Sequence, residues 1–140
     1  MLENMKTILF LCTGNSCRSQ MAEGFAKAML PKEWAVYSAG VRADGMNPHT
    51  IKCMAEAGVD ISRQYSKTIN DIKHIRPDVA VTLCDNAKES CPVYPGIVRQ
   101  EHWGLIDPKD ATGSEEEIMT VYRKVRDEIR HRLKGLLDTL

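Results

Sequence analysis

The run Cys12-Thr13-Gly14-Asn15-Ser16-Cys17-Arg18-Ser19 sets a cysteine ahead of an arginine with five residues between them, all small or polar. That spacing alone arises by chance. Its setting gives it weight, because a short apolar run, Thr7 to Leu11, leads into it and a helical pattern leads out. Successive backbone N–H groups at a helix N-terminus make a nest for an anion. Gly14 is expected to supply a backbone conformation that a side chain resists. The planar fork of Arg18 suits two oxygens of a tetrahedral oxyanion. The same positive surroundings favour the thiolate of Cys12, and Ser19 is placed to donate a hydrogen bond to it. A thiolate held beneath the central atom of an oxyanion is set for in-line attack. A buried structural cysteine at a strand end is the plainer alternative, and the Gly, Asn and Arg around Cys12 speak against it.

The chain has five cysteines. Cys84 closes a second apolar run, Asp78 to Leu83, and so falls at the C-terminal edge of a strand, where open α/β sheets bind ligands. Cys12 belongs to the same edge, which makes the two neighbours despite their distance in sequence. Cys91 follows seven residues after Cys84. On the residues alone a redox role for this pair stands beside a structural or metal-binding one. The spacing is not that of a compact zinc knuckle, and no second ligand pair accompanies it. Cys53, among Ile51 and Met54, and Cys17, inside the loop, read as packing residues.

The elements that must position these groups follow from periodicity and breakers. Thr7–Leu11 and Asp78–Leu83 are near-continuous apolar runs, the pattern of strands buried on both faces. Met21, Phe25 and Met29 recur at helical spacing between Arg18 and Pro31. Ala35–Ser38 reads as a strand. Pro48–Ala57 reads as a helix with proline in its first turn and Gly58 as its stop. A weaker helical stretch is expected over Thr68–His74, and a short strand over Val98–Trp103. Ser114 and Glu117 form a capping box, and Ile118, Val121, Val125, Ile129 and Leu136 mark the apolar face of a long final helix. The alternation predicts one α/β domain over 1–140, with a central parallel four-stranded sheet flanked by helices and right-handed crossovers.

The bulk numbers exclude more than they assign. A hydrophobic content of 43% and a charged content of 27% suit a soluble globular chain, and a formal net charge of zero lacks the footprint of a nucleic-acid binder. No apolar stretch is long enough for a bilayer, and Met1-Leu2-Glu3-Asn4 does not begin a secretory signal. The cytoplasm is the expected compartment. Cysteines there are normally kept reduced, which favours catalysis or metal binding over a disulfide scaffold.

Cys12 to Glu23, CTGNSCRSQMAE, resembles the phosphate-binding loop and first helix of the low-molecular-weight protein tyrosine phosphatase superfamily. The resemblance is stronger to the thioredoxin-coupled arsenate reductases built on that fold. It extends through Tyr37-Ser38-Ala39-Gly40, Val81-Thr82-Leu83-Cys84 and Glu101-His102-Trp103-Gly104 to Asp107-Pro108, nearly the whole chain. It implies arsenate as substrate, with Thr13, Gly14, Asn15, Ser16, Cys17 and Arg18 around the oxyanion. It also implies a relay through Cys12, Cys84 and Cys91, with Asp107 as general acid and thioredoxin as external reductant. A phosphatase needs neither Cys84 nor Cys91, so these two separate the relatives. If Asp85–Ser90 were helical, Cys84 and Cys91 would lie about 10.5 Å apart along the axis. A disulfide needs Cα atoms within about 7 Å, so a redox-switched segment is expected there. Phosphatase relatives commonly carry aromatic residues after Asp-Pro; Lys109-Asp110 stands here, which suits a small inorganic substrate. Asp107 in an ordinary Asp-Pro turn is the plain alternative.

Some reductases of the family bind potassium at positions matching Asn15, Glu23 and Ser38, helped by an acidic residue where this chain has Lys67. The resemblance therefore implies an ammonium group in the cation's place, no requirement for potassium and no bound metal or cofactor; a plain surface lysine is the alternative. A monomer is the default expectation. The rival functions are a tyrosine phosphatase, a thiol redox sensor, which leaves Arg18 and the nest unused, and a phosphate-binding module, which leaves the Cys12 nucleophile unused.

Overall fold

The computed structural model describes residues 5–85, 89–92, 94, 96–97 and 99–140. Strand β1, Lys6–Cys12, sits inside a four-stranded sheet with β2, Trp34–Gly40, on one side and β3, Val79–Thr82, on the other; β4, Arg99–His102, pairs with the far edge of β3. All three pairings are parallel. The position of β1 explains its unbroken apolar run. Ile8, Leu9 and Phe10 have no exposure at all, because neighbours cover both edges and both faces.

The two faces differ in what covers them. Ile8 and Phe10 point into one cluster with Met21, Phe25, Met54, Met119 and Ile129. These come from the three α-helices, α1 (Arg18–Met29), α2 (Pro48–Glu56) and α3 (Glu115–Leu137). Leu9 and Leu11 point the other way, to Ile72 and Tyr94, with Ile69, Ile75 and Ile97 around them. The helix expected over Thr68–His74 is therefore replaced by a single 3₁₀ turn, Asn70–Ile72. Ile69, Ile72 and Ile75 recur every three residues, the period of a 3₁₀ turn rather than of an α-helix. Asp71 and Thr68 cap each other: the Asp71 carboxylate accepts from the Thr68 N–H at 2.9 Å, and the Thr68 hydroxyl accepts from the Asp71 N–H at 3.2 Å.

The remaining elements begin and end where their breakers place them. Asn47 caps α2 by accepting from the His49 and Thr50 N–H groups, and Gly58 takes φ +85° just beyond its end. The Ser114–Glu117 box opens α3. Its buried face runs through Met119, Tyr122, Val125, Ile129, Leu133 and Leu136, so Val121 belongs half-buried beside the stripe rather than on it. The ring of Tyr122 packs 5.1 Å from that of His49, which turns the first half of α3 toward α2. β4 covers the interior of the strand expected from Val98, a residue outside those described.

Candidate active site

Leu11 lies opposite Thr82 in the β1–β3 register, so Cys12 and Cys84 leave the same edge of the sheet one and two residues later. The loop that follows Cys12 is tied to its surroundings through main-chain atoms. Arg42 N–H donates to Thr13 O, Asp44 N–H donates to Gly14 O, and the Ser66 hydroxyl donates to Asn15 O at 2.8 Å. Asn15, not Gly14, takes the left-handed conformation, with φ 48°. The glycine at position 14 answers a different need. A Cβ there would sit 2.2 Å from the Asp44 carboxylate, so Gly14 provides room rather than backbone freedom. At Gly40 the crowding comes from main chain: a Cβ there would meet Thr13 O, Arg42 O and Asn15 N within 2.8 Å.

Asn15 holds its unusual backbone because its side chain is fully used. Its amide NH₂ donates to the Ser19 and Ser38 hydroxyls, at 2.8 and 2.9 Å, and its oxygen accepts from Gln20 Nε2 and the Lys67 N–H, both at 2.9 Å. With one lone pair of Ser19 Oγ taken by Asn15, its hydrogen is free for Cys12 Sγ, 2.7 Å away. Ser38 donates in turn to Glu23 Oε1 at 2.5 Å. Asn15, Glu23 and Ser38 thus converge, and the Lys67 ammonium lies 3.6 Å from Glu23 and donates to Tyr65 O at 3.0 Å. Burial pushes the Lys67 ammonium below its ordinary range, against the pull of Glu23. Lys67 is 7% exposed, which removes the surface-lysine reading. Among the described residues no group of acidic, His and Cys side chains is arranged to hold a metal ion.

Helix α1 starts at Arg18 with no side-chain cap, so its first N–H groups remain directed at the loop. Arg18 is 2% exposed. Its Nη1 donates to Leu105 O at 2.9 Å and to Leu83 O at 3.3 Å, which fixes the plane of the guanidinium between β3 and the loop after β4. Asp107 Oδ2 stands 3.5 Å from Arg18 Nη2. Asp107 also caps the short 3₁₀ turn Pro108–Asp110 by accepting from the Lys109 N–H at 3.0 Å, so it is both a turn residue and a carboxyl at the loop's rim. Lys109 reaches across to Asp44 at 3.4 Å. Cys17 faces away into the core, where burial pushes its thiol up to about 11, and burial does the same for Cys53. Both match their reading as packing residues.

Cys84 and Cys91 are joined in a disulfide with Cα atoms 5.8 Å apart, while Cys12 is a free thiol. A helix over Asp85–Ser90 cannot bring these Cα atoms so close; Asn86, Ala87 and Lys88 lie outside the described residues. Glu89, inside that span, was legible only as one more polar residue. Its carboxylate accepts from Arg18 Nη1 and Nη2 at 2.6 Å each, from the Thr13 hydroxyl at 2.6 Å and from the Asp85 N–H at 2.8 Å. Burial alone would raise the Glu89 carboxyl, but the hydrogen bonds from Arg18, Thr13 and Asp85 outweigh it and hold it at about 2.

The profile of the low molecular weight phosphotyrosine protein phosphatase family matches residues 7–140. The chain belongs to that family. Within it, the arsenate reductase of Bacillus licheniformis is 55% identical over 135 residues, 96% of each chain. That of Bacillus subtilis is 53% identical over 138 residues, 99% of each. A solved arsenate reductase in the phosphate-binding state superposes with a TM-score of 0.82 at 36% identity, covering 96% of this chain and 98% of that one. A low molecular weight protein tyrosine phosphatase from T. tengcongensis superposes with a TM-score of 0.72 at 26% identity, over 96% and 99% of the two chains. The parallel sheet and the loop after β1 are common to the phosphatase fold; the disulfide beside the loop is what the phosphatase reaction has no use for.

Proposed function

We propose that this member of the phosphatase family reduces arsenate to arsenite. The observation that carries the reading is the Cys84–Cys91 disulfide at the rim of an oxyanion loop whose own cysteine, Cys12, is free. The steps balance as follows. The Cys12 thiolate attacks arsenic, and an arsenate oxygen leaves as water, with Asp107 placed to supply a proton. The Cys84 thiolate then attacks Cys12 Sγ. The S–As bond breaks toward arsenic, which takes the electron pair and departs as arsenite, leaving a Cys12–Cys84 disulfide. Cys91 attacks Cys84, expels the Cys12 thiolate and closes Cys84–Cys91. That bond is the end point of the relay, and an external dithiol must return two electrons to it.

Thioredoxin suits that last step, since a cytoplasmic dithiol protein can attack the pair at Cys91, which is half-buried, while Cys84 is buried. This reading places the chain in the cytoplasm as a monomer without a bound cofactor. Among the described residues no helix is long and apolar enough to cross a membrane. Lys67 beside Glu23 supports potassium independence, so rates in potassium and in sodium should agree within about twofold.

The test is arsenite production with thioredoxin, thioredoxin reductase and NADPH, for the wild type and for Cys12→Ser, Cys84→Ser and Cys91→Ser. Turnover by the wild type and its loss in each variant is the expected result. Hydrolysis of an aryl phosphate through Cys12 alone, with no arsenite formed, would make the protein a phosphatase and end the relay.

A further inference from the structure

The disulfide state leaves Cys12 with a difficulty. Its thiol is free, but Cys84, the group that must resolve an arsenate adduct, is tied to Cys91. An oxyanion captured at that moment would form a product that cannot proceed. The geometry points to Glu89 as an internal ligand that occupies the oxyanion loop's arginine whenever Cys84 and Cys91 are joined, excluding arsenate until the reductant has acted.

Three observations carry this. First, the Glu89 carboxylate meets Arg18 as a planar two-oxygen anion meets a fork, with both contacts at 2.6 Å, and it adds the Thr13 hydroxyl at 2.6 Å. This is the pairing an oxyanion would use. The neighbouring Arg18 Nε is buried and has no hydrogen-bond partner among the described residues, so the fork is only partly satisfied by Glu89. Second, the space left above the loop, bounded by Cys12, Ser16, Arg18, Asp44, Asp107 and Lys109, is a cavity of about 10 Å³; Glu89 is not among its walls and takes up the Arg18 fork beside it. The cavity holds about one water-sized sphere, not a tetrahedral oxyanion. Third, Glu89 lies two residues before Cys91, and the closed Cys84–Cys91 bridge holds its Cα ends 5.8 Å apart. The bridge keeps the carboxylate at high effective concentration beside Arg18, and its opening releases that restraint.

In the disulfide state Arg18 already faces Glu89 and, at 3.5 Å, Asp107, while Lys109 is held by Asp44, so an incoming anion would enter beside three carboxylates and two cations that are already paired. Protonation does not release the clamp at working pH; the release has to come from reduction. Linkage then makes the effect reciprocal: an oxyanion that competes with Glu89 must also make the disulfide easier to reduce, by the same factor. The relay and its reductant are thereby forced into alternation.

The inference rests on taking Cys84–Cys91 as the relay's end state, and phosphate, which reacts with neither thiol, tests it apart from arsenate chemistry. Phosphate binding is titrated calorimetrically for the disulfide form, with one bridge and a free Cys12 verified by mass, and for the fully reduced form. Wild type, Glu89→Gln and Glu89→Ala are compared. In the wild type, phosphate should bind the disulfide form about tenfold or more weaker than the reduced form. Glu89→Ala should recover most of that loss in the disulfide form and change the reduced form by less than about threefold, with Glu89→Gln between. In a dithiol redox buffer, added phosphate should shift the wild-type equilibrium toward the thiols and shift Glu89→Ala less. Equal phosphate affinity in both redox forms of the wild type, or a disulfide form of Glu89→Ala that binds as weakly as wild type, would overturn the clamp. A chain that makes no arsenite but shows these shifts would keep the clamp and lose the substrate.

Discussion

Arg18 is the residue on which most of the site's geometry turns. Its Nη1 donates to two carbonyl oxygens as well as to Glu89, which fixes the plane in which the guanidinium meets an anion. A lysine has neither the fork nor the reach to repeat this. Arg18→Lys should lower kcat/KM for arsenate by roughly tenfold to a hundredfold, the worth of a charged hydrogen bond of about 1.5–3 kcal/mol, measured in the thioredoxin-coupled assay. Glu89 sets a pH signature. Its folded carboxyl is held at about 2, below its ordinary 4.5, so its stabilisation is fully present above about 4.5 and is lost as pH falls through about 2. The stability difference between the disulfide forms of wild type and Glu89→Gln should be flat from neutral pH to about 4.5 and vanish near pH 2, as followed by denaturant unfolding at stepped pH. A difference that persisted at pH 2 would remove Glu89 from the account.

At the scale of elements, the oxyanion loop is shaped from behind by the end of β2. A Cβ on Gly40 would press on main-chain atoms, Thr13 O and Asn15 N of the loop and Arg42 O beyond β2, none of which can swing aside as a side chain would. Gly40→Ala should destabilise the protein by about 1–3 kcal/mol and weaken phosphate binding to the reduced form, as the loop shifts to admit the methyl group. Thermal unfolding and phosphate titration on one preparation check both effects. The capping box of α3 acts only on stability. Ser114→Ala should cost about 0.5–2 kcal/mol in denaturant unfolding and leave arsenite production per folded molecule unchanged. The two glycine readings also show where local reasoning fails. Gly14 and Asn15 are adjacent, and the motif pointed to the glycine for the unusual backbone. The left-handed residue is the asparagine, because Ser19, Ser38, Gln20 and Lys67 together hold its side chain in place.

For the whole molecule, one cluster joins the three helices to one face of the sheet, and α3 carries much of it. Ile129, fully buried at the middle of α3, belongs to that apolar cluster. Ile129→Ala should lower stability by about 2–5 kcal/mol through lost burial and the cavity left behind, with an unchanged denaturant slope. The alternation of apolar runs with helical periods was enough to specify a parallel α/β sheet, since each apolar run is short and each pattern local. The loop after β1 was legible for the same reason: its cysteine, arginine and serine sit within eight consecutive residues. Local too was the reading of Cys17 and Cys53 as packing residues, which their burial matches. What lay beyond sequence were the pairings across the fold. Thr68–His74 makes one 3₁₀ turn because it must lie flat on Leu9 and Leu11. Asp44, Ser66 and Gly40 reach the loop only through the folding of β2 and the segments after it. Glu89, 71 residues from Arg18, became its partner through the path that the Cys84–Cys91 bridge imposes on the chain. Neighbours along the chain are set by covalent order, whereas partners at such separations are chosen by packing, and only tertiary structure decides which carboxylate a buried arginine will hold.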